Sequence, residues 1–392
     1  MKKITSNLLF KVVLAIVLGI GIGLIIPEWA GRIFATFNSL FDQLLKFVIP
    51  LIIVGLIVPA IAKLGQAAGK LLLVTVLIAY GSTLFAGISA YFTSITVFPT
   101  MLENQITNTG SGIRESLAPY FTLEFPPIFD VMSALVFAFL IGVGLSRLQN
   151  STLEKVAIDF ELIITFIIEK IIVPLLPLFI FGIFLDMTYA GKVASILHVF
   201  IKIIGVIFIM HIALLLLQFL IAGAVSGKNA FKLLGTMMPA YFTALGTQSS
   251  AATIPVTLER AKIAGVREDI ASFCIPLCAT IHLAGSMLKI VSCVVALMLM
   301  QGMPIDLLPM LGFICMLGIT MIAAPGVPGG AIMAAIGIIA SMLGFDAENQ
   351  ALMISLYIAM DAFGTACNVT GDGAIAIILN SIFKPVTTVE QA

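Results

Sequence analysis

The sequence predicts an all-α integral membrane protein, and three observations predict it. Of 392 residues, 60% are hydrophobic and only 10% charged, with a mean hydropathy of +1.18, which leaves too little polar surface to clothe a soluble globule. Apolar runs of the length that a helix needs to cross a hydrocarbon core of roughly 30 Å, about 20 residues, recur from the N-terminus onward. After about residue 230 these runs are interrupted, twice over, by small and polar residues. A Ser/Gly-rich hairpin followed by a broken helix, repeated, is the trace that an inverted repeat around a binding site leaves.

The elements follow in order. Spans are expected near 8–26, 40–62, 70–96, 127–146, 158–187 and 192–224. The first follows "MKKITSN" in the manner of a signal peptide, but without a small-residue cleavage site it is read as the first helix. Lys2 and Lys3, Lys63 and Lys70, Arg147 and Lys155, and Lys228 and Lys232 fall at alternate connections, whereas the loop 98–125 sets Glu103, Glu115 and Glu124 against Arg114. The positive-inside rule then places both termini in the cytoplasm and that loop outside the cell membrane. Two interrupted units follow. "TALGTQSSAATIPVT" (243–257) precedes a run broken at "TIHLAGS" (280–286), and "TMIAAPGVPGGAIMAA" (320–335) precedes one broken at "MDAFGTACNVTGD" (360–372). Irregular backbone at membrane depth persists only where protein or a water-filled cavity satisfies it.

Net charge is zero and no basic run occurs, so nucleic acid is not an expected partner; membrane lipid is. Cys274, Cys278, Cys293, Cys315 and Cys367 lie in apolar stretches without metal-ligand spacing and are expected as small core residues.

Asp361, Thr365, Asn368 and Asp372 stand at i, i+4, i+7 and i+11, on one narrow face of a helix. Each aspartate at the bilayer centre costs on the order of 3 kcal/mol, so something compensates. A polar network tying helices together is one reading. The other is a binding face: carboxylates for a cation or an ammonium, amide and hydroxyl for a substrate carboxylate.

Through "TQSSAATIPVT", "AAPGVPGGAIM" and "DAFGTACNVTGD", in that order, the chain resembles the dicarboxylate/amino acid:cation symporters over nearly its whole length. The resemblance implies eight transmembrane helices plus two re-entrant hairpins, a homotrimer, and a transport domain that slides like an elevator against a fixed scaffold. The scaffold would be helices 1, 2, 4 and 5 (about 8–62 and 127–187). The transport domain would be helices 3 and 6 with hairpin 1 (about 230–261), helix 7 (266–300), hairpin 2 (305–345) and helix 8 (348–384). It further implies that Asp361 holds a substrate α-ammonium, with Thr365 and Asn368 on the substrate, Ser249 and Ser250 capping its carboxylate, Ser286 nearby, and Val327 with neighbouring glycines as a lid. Asp372 would ligate Na+ with oxygens, partly main-chain, of Asn368, His282 and Thr280.

Departures from the family pattern are informative. The unwound motif of helix 7 reads His282-Leu283-Ala284-Gly285-Ser286 and lacks the family's aspartate. A second Na+ site that draws on this aspartate and on the third helix, here Val76, Ala79 and Tyr80, is therefore expected to be absent. His282 either carries a proton or, as a neutral imidazole, satisfies a backbone carbonyl of the unwound turn. His198 and His211, on apolar faces, read as packing or interface residues. Gly364 stands where acidic-substrate relatives place an arginine, which by itself implies a neutral substrate side chain with room for bulk. Lys289, seven residues after His282 and on about the same face if the helix is regular, either relocates that cation or pairs with a protein carboxylate or snorkels. Gln248, where some relatives carry arginine, implies less positive charge near the pocket.

An aspartyl protease needs two facing aspartates, whereas Asp361 and Asp372 share one helix roughly 16 Å apart; a dedicated channel more usually shows filter-like rings. The sequence thus points away from an enzyme. It points to a secondary symporter for an amino acid or a close analogue such as a dicarboxylate, coupled to Na+, H+ or both, with no cofactor.

Overall fold

The computed structural model describes residues 8–66, 69–102, 115–148, 151–191, 193–322, 324 and 328–383, and every regular element among them is a helix. Six helical stretches among the described residues are long and apolar enough to cross a membrane. Val327 and most of the second hairpin tip lie outside the described residues, as does the side chain of His198.

In the N-terminal half, α1 (Leu8–Gly23) lies along α6 (Val173–Tyr189). Val12, Ala15, Gly19 and Gly23 form its buried stripe. A Cβ on Gly19 would come within 2.7 Å of Phe181 O, so the two backbones approach as closely as small residues allow. α2 (Glu28–Gln66) packs on α4 (Val131–Ser146) and α5 (Thr152–Ile167). It begins about a dozen residues before the apolar run at 40, because Trp29, Phe34 and Phe37 extend the pattern ahead of it. A π-helical turn, Ile168–Ile172, joins α5 to α6. Pro174 lacks the N–H that the regular ladder needs there, and the ladder widens by one residue. α3 (Lys70–Leu102) runs past the expected loop start at 98, with Pro99 inside its last turn.

The second half is built around α15 (Asp361–Ile382). Packed on it are α3, α7 (Val193–Ser226), α8 (Ala230–Thr247), α9 (Ser250–Ile263), α10 (Glu268–Ile281) and α11 (Ala284–Met300). α12 (Leu307–Ile322) and α13 (Gly330–Leu343) form the second hairpin, and α14 (Ala347–Ala359) leads into α15. The most hydrophobic stretch of α15 is 83% buried, against 28% for that of α3. α15 is therefore enclosed by protein, as its polar stripe requires.

Three chain breaks interrupt the helices that pack on or lead into α15. The α8–α9 turn has only Gln248 and Ser249. Gln248 takes the left-handed conformation (φ 54°), alone among the described non-glycine residues, and Ser249 caps α9 by accepting from Ala252 N at 3.2 Å. α10 and α11 are separated by His282 and Leu283 in extended or irregular backbone, and α14 and α15 by Met360. Four of the five cysteines are buried as expected; Cys315 is exposed, on the outward side of α12.

Candidate substrate and cation site

The site is built where α11, α13 and the start of α15 meet. Asp361 opens α15 and is 4% exposed. Its Oδ1 accepts from Lys289 Nζ at 2.8 Å, and its Oδ2 accepts from the N–H of Gly329 at 2.8 Å. Gly329 is the N-cap of α13, in a left-handed conformation (φ 75°). The carboxylate thus sits at the positive end of that helix as well as of its own. The Lys289 side chain is fully buried, and its ammonium lies 3.4 Å from the centroid of the Tyr357 ring, a cation–π contact in a desolvated setting.

Gly364 makes room for this lysine. A Cβ there would come within 2.8 Å of Lys289 Nζ and 3.0 Å of its Cε. The space that the bare sequence assigned to a bulky neutral substrate group is therefore filled by a protein ammonium.

One turn further along α15, Asn368 braces the unwound turn. Its Oδ1 accepts from Gly285 N (2.8 Å) and lies 3.3 Å from Ser286 N, while its Nδ2 donates to Ser286 Oγ (3.0 Å). Ser286 Oγ in turn meets Tyr357 OH at 3.3 Å. The Gly285 carbonyl bonds to Nε2 of His211, at 2.9 Å. The carbonyl-satisfying role considered for His282 thus falls to His211.

His282 is fully buried and places Nδ1 2.9 Å from Asp372 Oδ1. An ionised carboxylate only accepts, so Nδ1 carries the proton and Nε2 is free to accept from Ser82 Oγ (3.1 Å). Gln218 Nε2 donates to Ser82 Oγ at 3.1 Å. Ser82 and Gln218 also line an otherwise apolar groove of about 430 Å³ between α3, α7 and α15. Gly371 provides the clearance, since a Cβ there would lie 2.8 Å from His282 Cε1 and 2.7 Å from Gln218 Oε1.

The four stripe residues are all buried on α15, and the structure brings Ser286, Lys289, His282, Gly364 and the second hairpin to them. Ser249 and Ser250 sit at the start of α9, which packs on α15. Thr280 is exposed, and its hydroxyl donates to Leu277 O. His282 and Lys289 do not lie on one regular helix, because the break falls between them. Ala79 is fully buried and Tyr80 OH donates to Cys315 O. Sequence reasoning missed Tyr357, Ser82, Gln218 and Gly371. One signal could have found the last: Gly364 and Gly371 are seven residues apart, as are His282 and Lys289.

Residues 8–382 match the sodium:dicarboxylate symporter family. The chain is also similar to the serine/threonine transporter SstT of Acinetobacter baumannii strain ATCC 17978 and to that of strain AYE. Each is 28% identical over 383 residues, which cover 93% of this chain and 94% of the relative.

Proposed function

Taking as premise that the chain belongs to the sodium:dicarboxylate symporter family, a family of multi-pass membrane transporters and not of enzymes, we propose that it carries an amino acid or close analogue by secondary active symport. The observation that supports this best is Asp361, a buried carboxylate in a membrane helix, touched by the backbone of the second hairpin at Gly329. A lid that closes over a substrate subsite at Asp361 makes such a contact. The serine/threonine transporters among the relatives support an amino acid as cargo.

The coupling ion is Na+, H+ or both. The family match supports Na+; the imidazole already seated on Asp372 supports H+, because that carboxylate has a partner without a mobile cation. We assign the moving body to α3, α7 and the chain from α8 to α15, and the scaffold to α1, α2 and α4–α6. The packing of the former around α15 supports this division. A homotrimer in the cell membrane with both termini cytoplasmic completes the reading, supported by the family resemblance and by outward apolar side chains on α4 and α5 such as Leu140 and Leu162.

Uptake of a labelled panel of amino acids and dicarboxylates into proteoliposomes, under an imposed Na+ gradient and separately under a proton gradient, tests the proposal. Concentrative uptake of at least one solute is expected under one of the two. Silence of the whole panel under both gradients would refute it.

A further inference from the structure

Among the described residues three carboxylates are buried, Asp42, Asp361 and Asp372. Each already has a basic side chain of the same chain beside it: Lys46 at 2.7 Å, Lys289 at 2.8 Å and His282 at 2.9 Å. A buried carboxylate whose partner is a mobile ion needs that ion to offset its desolvation, whereas one with a tethered partner does not. The oxygens around Asp372 are engaged as well. A hard cation is held by several oxygen lone pairs at once. Asn368 Oδ1, one turn before Asp372, faces the backbone N–H groups of Gly285 at 2.8 Å and Ser286 at 3.3 Å, which match its two lone pairs. The Gly285 carbonyl oxygen meets His211 Nε2 at 2.9 Å. The imidazole of His282 is held at its other nitrogen too, by Ser82 Oγ at 3.1 Å, in space that Gly371 leaves by lacking a Cβ. An N–H aimed at Asp372 Oδ1 and a cation compete for the same oxygen, and the tethered group competes at high effective concentration.

We propose that His282 is the residue that determines ion specificity in this carrier: its Nδ1–H holds, on Asp372, the place of a mobile cation, and Na+ does not bind there. The ring stands where the ion would, and it moves with the chain instead of being exchanged with the medium. The inference rests on the symporter reading above and removes Na+ at Asp372 from its coupling ions.

The test uses the full-length protein in detergent with Na+ itself as the probe, read by thermal melting in NaCl and in choline chloride at matched ionic strength. A ligand that binds only the folded state raises the midpoint as its concentration rises. The wild type should respond to Na+ no more than Asp372→Asn does. His282→Asn removes the ring and offers an amide oxygen in its place. Na+ should stabilise this variant, with an apparent affinity at least about tenfold tighter than for the wild type, and adding Asp372→Asn should abolish that response. A wild-type response to Na+ that Asp372→Asn removes would overturn the inference, as would a folded His282→Asn protein that ignores Na+. If His282→Asn does not fold, the comparison of the wild type with Asp372→Asn decides. Na+ binding is read here without any solute, so silence of the uptake panel would refute the symporter reading and leave the role of His282 on Asp372 standing.

Discussion

Lys289 and Asp361 form a buried ion pair, with side chains 0% and 6% exposed. Breaking such a pair on one side costs about 3–5 kcal/mol, whereas removing both charges is often close to neutral. Lys289→Met should therefore lower stability by about that amount, and adding Asp361→Asn should recover most of it. Melting of the two variants in detergent checks this, and a double variant no more stable than the single would show that the pair is not what holds these residues. The same logic applies to His282 and Asp372, separated by 2.9 Å. His282→Leu leaves a buried carboxylate without its donor and should destabilise, while His282→Leu with Asp372→Asn should melt closer to the wild type.

At the scale of the element, α15 works because glycines stand where other helices press on it. Gly364 and Gly371 face Lys289 and His282, whose side chains are held by Asp361 and Asp372 at 2.8 and 2.9 Å. Gly373 faces the terminal methyl of Met237, which can swing aside. Overpacking a well-filled site costs about 1–3 kcal/mol. Gly364→Ala and Gly371→Ala should each fall in that range, and Gly373→Ala below about 1 kcal/mol on the same scale. Equal melting temperatures for the three alanine variants would mean that Lys289 and His282 yield as readily as a methionine.

At the scale of the molecule, the second hairpin touches the N-terminal helices where α13 meets α2. A Cβ on Gly337 would collide with Ile49, a β-branched side chain with little freedom to retreat. If the helices around α15 slide past α2, Gly337→Ala should slow uptake by about tenfold, roughly 1.4 kcal/mol in the barrier. Ligand-induced stabilisation should not change, because Gly337 lies outside the polar cluster. Unaltered uptake by a folded Gly337→Ala protein would place the moving surface elsewhere.

The sequence by itself determined the membrane class, the interrupted units after residue 230 and the stripe Asp361, Thr365, Asn368 and Asp372. Hydropathy, small-residue clusters and helical periodicity are local properties, and each can be read within a window of about 20 residues. Only the tertiary structure decided how the stripe is neutralised. Lys289 lies 72 residues before Asp361, and His282 lies 90 before Asp372. Whether each meets a carboxylate, a carbonyl or lipid depends on how α11 docks on α15 across the break at His282 and Leu283. Periodicity along a regular helix fails at such a break, which is why Gly364 read as room for substrate bulk and His282 stayed open between a proton carrier and a partner for the turn's carbonyl. A buried charge takes its partner from whichever helix packs beside it, and that neighbour is a property of the fold.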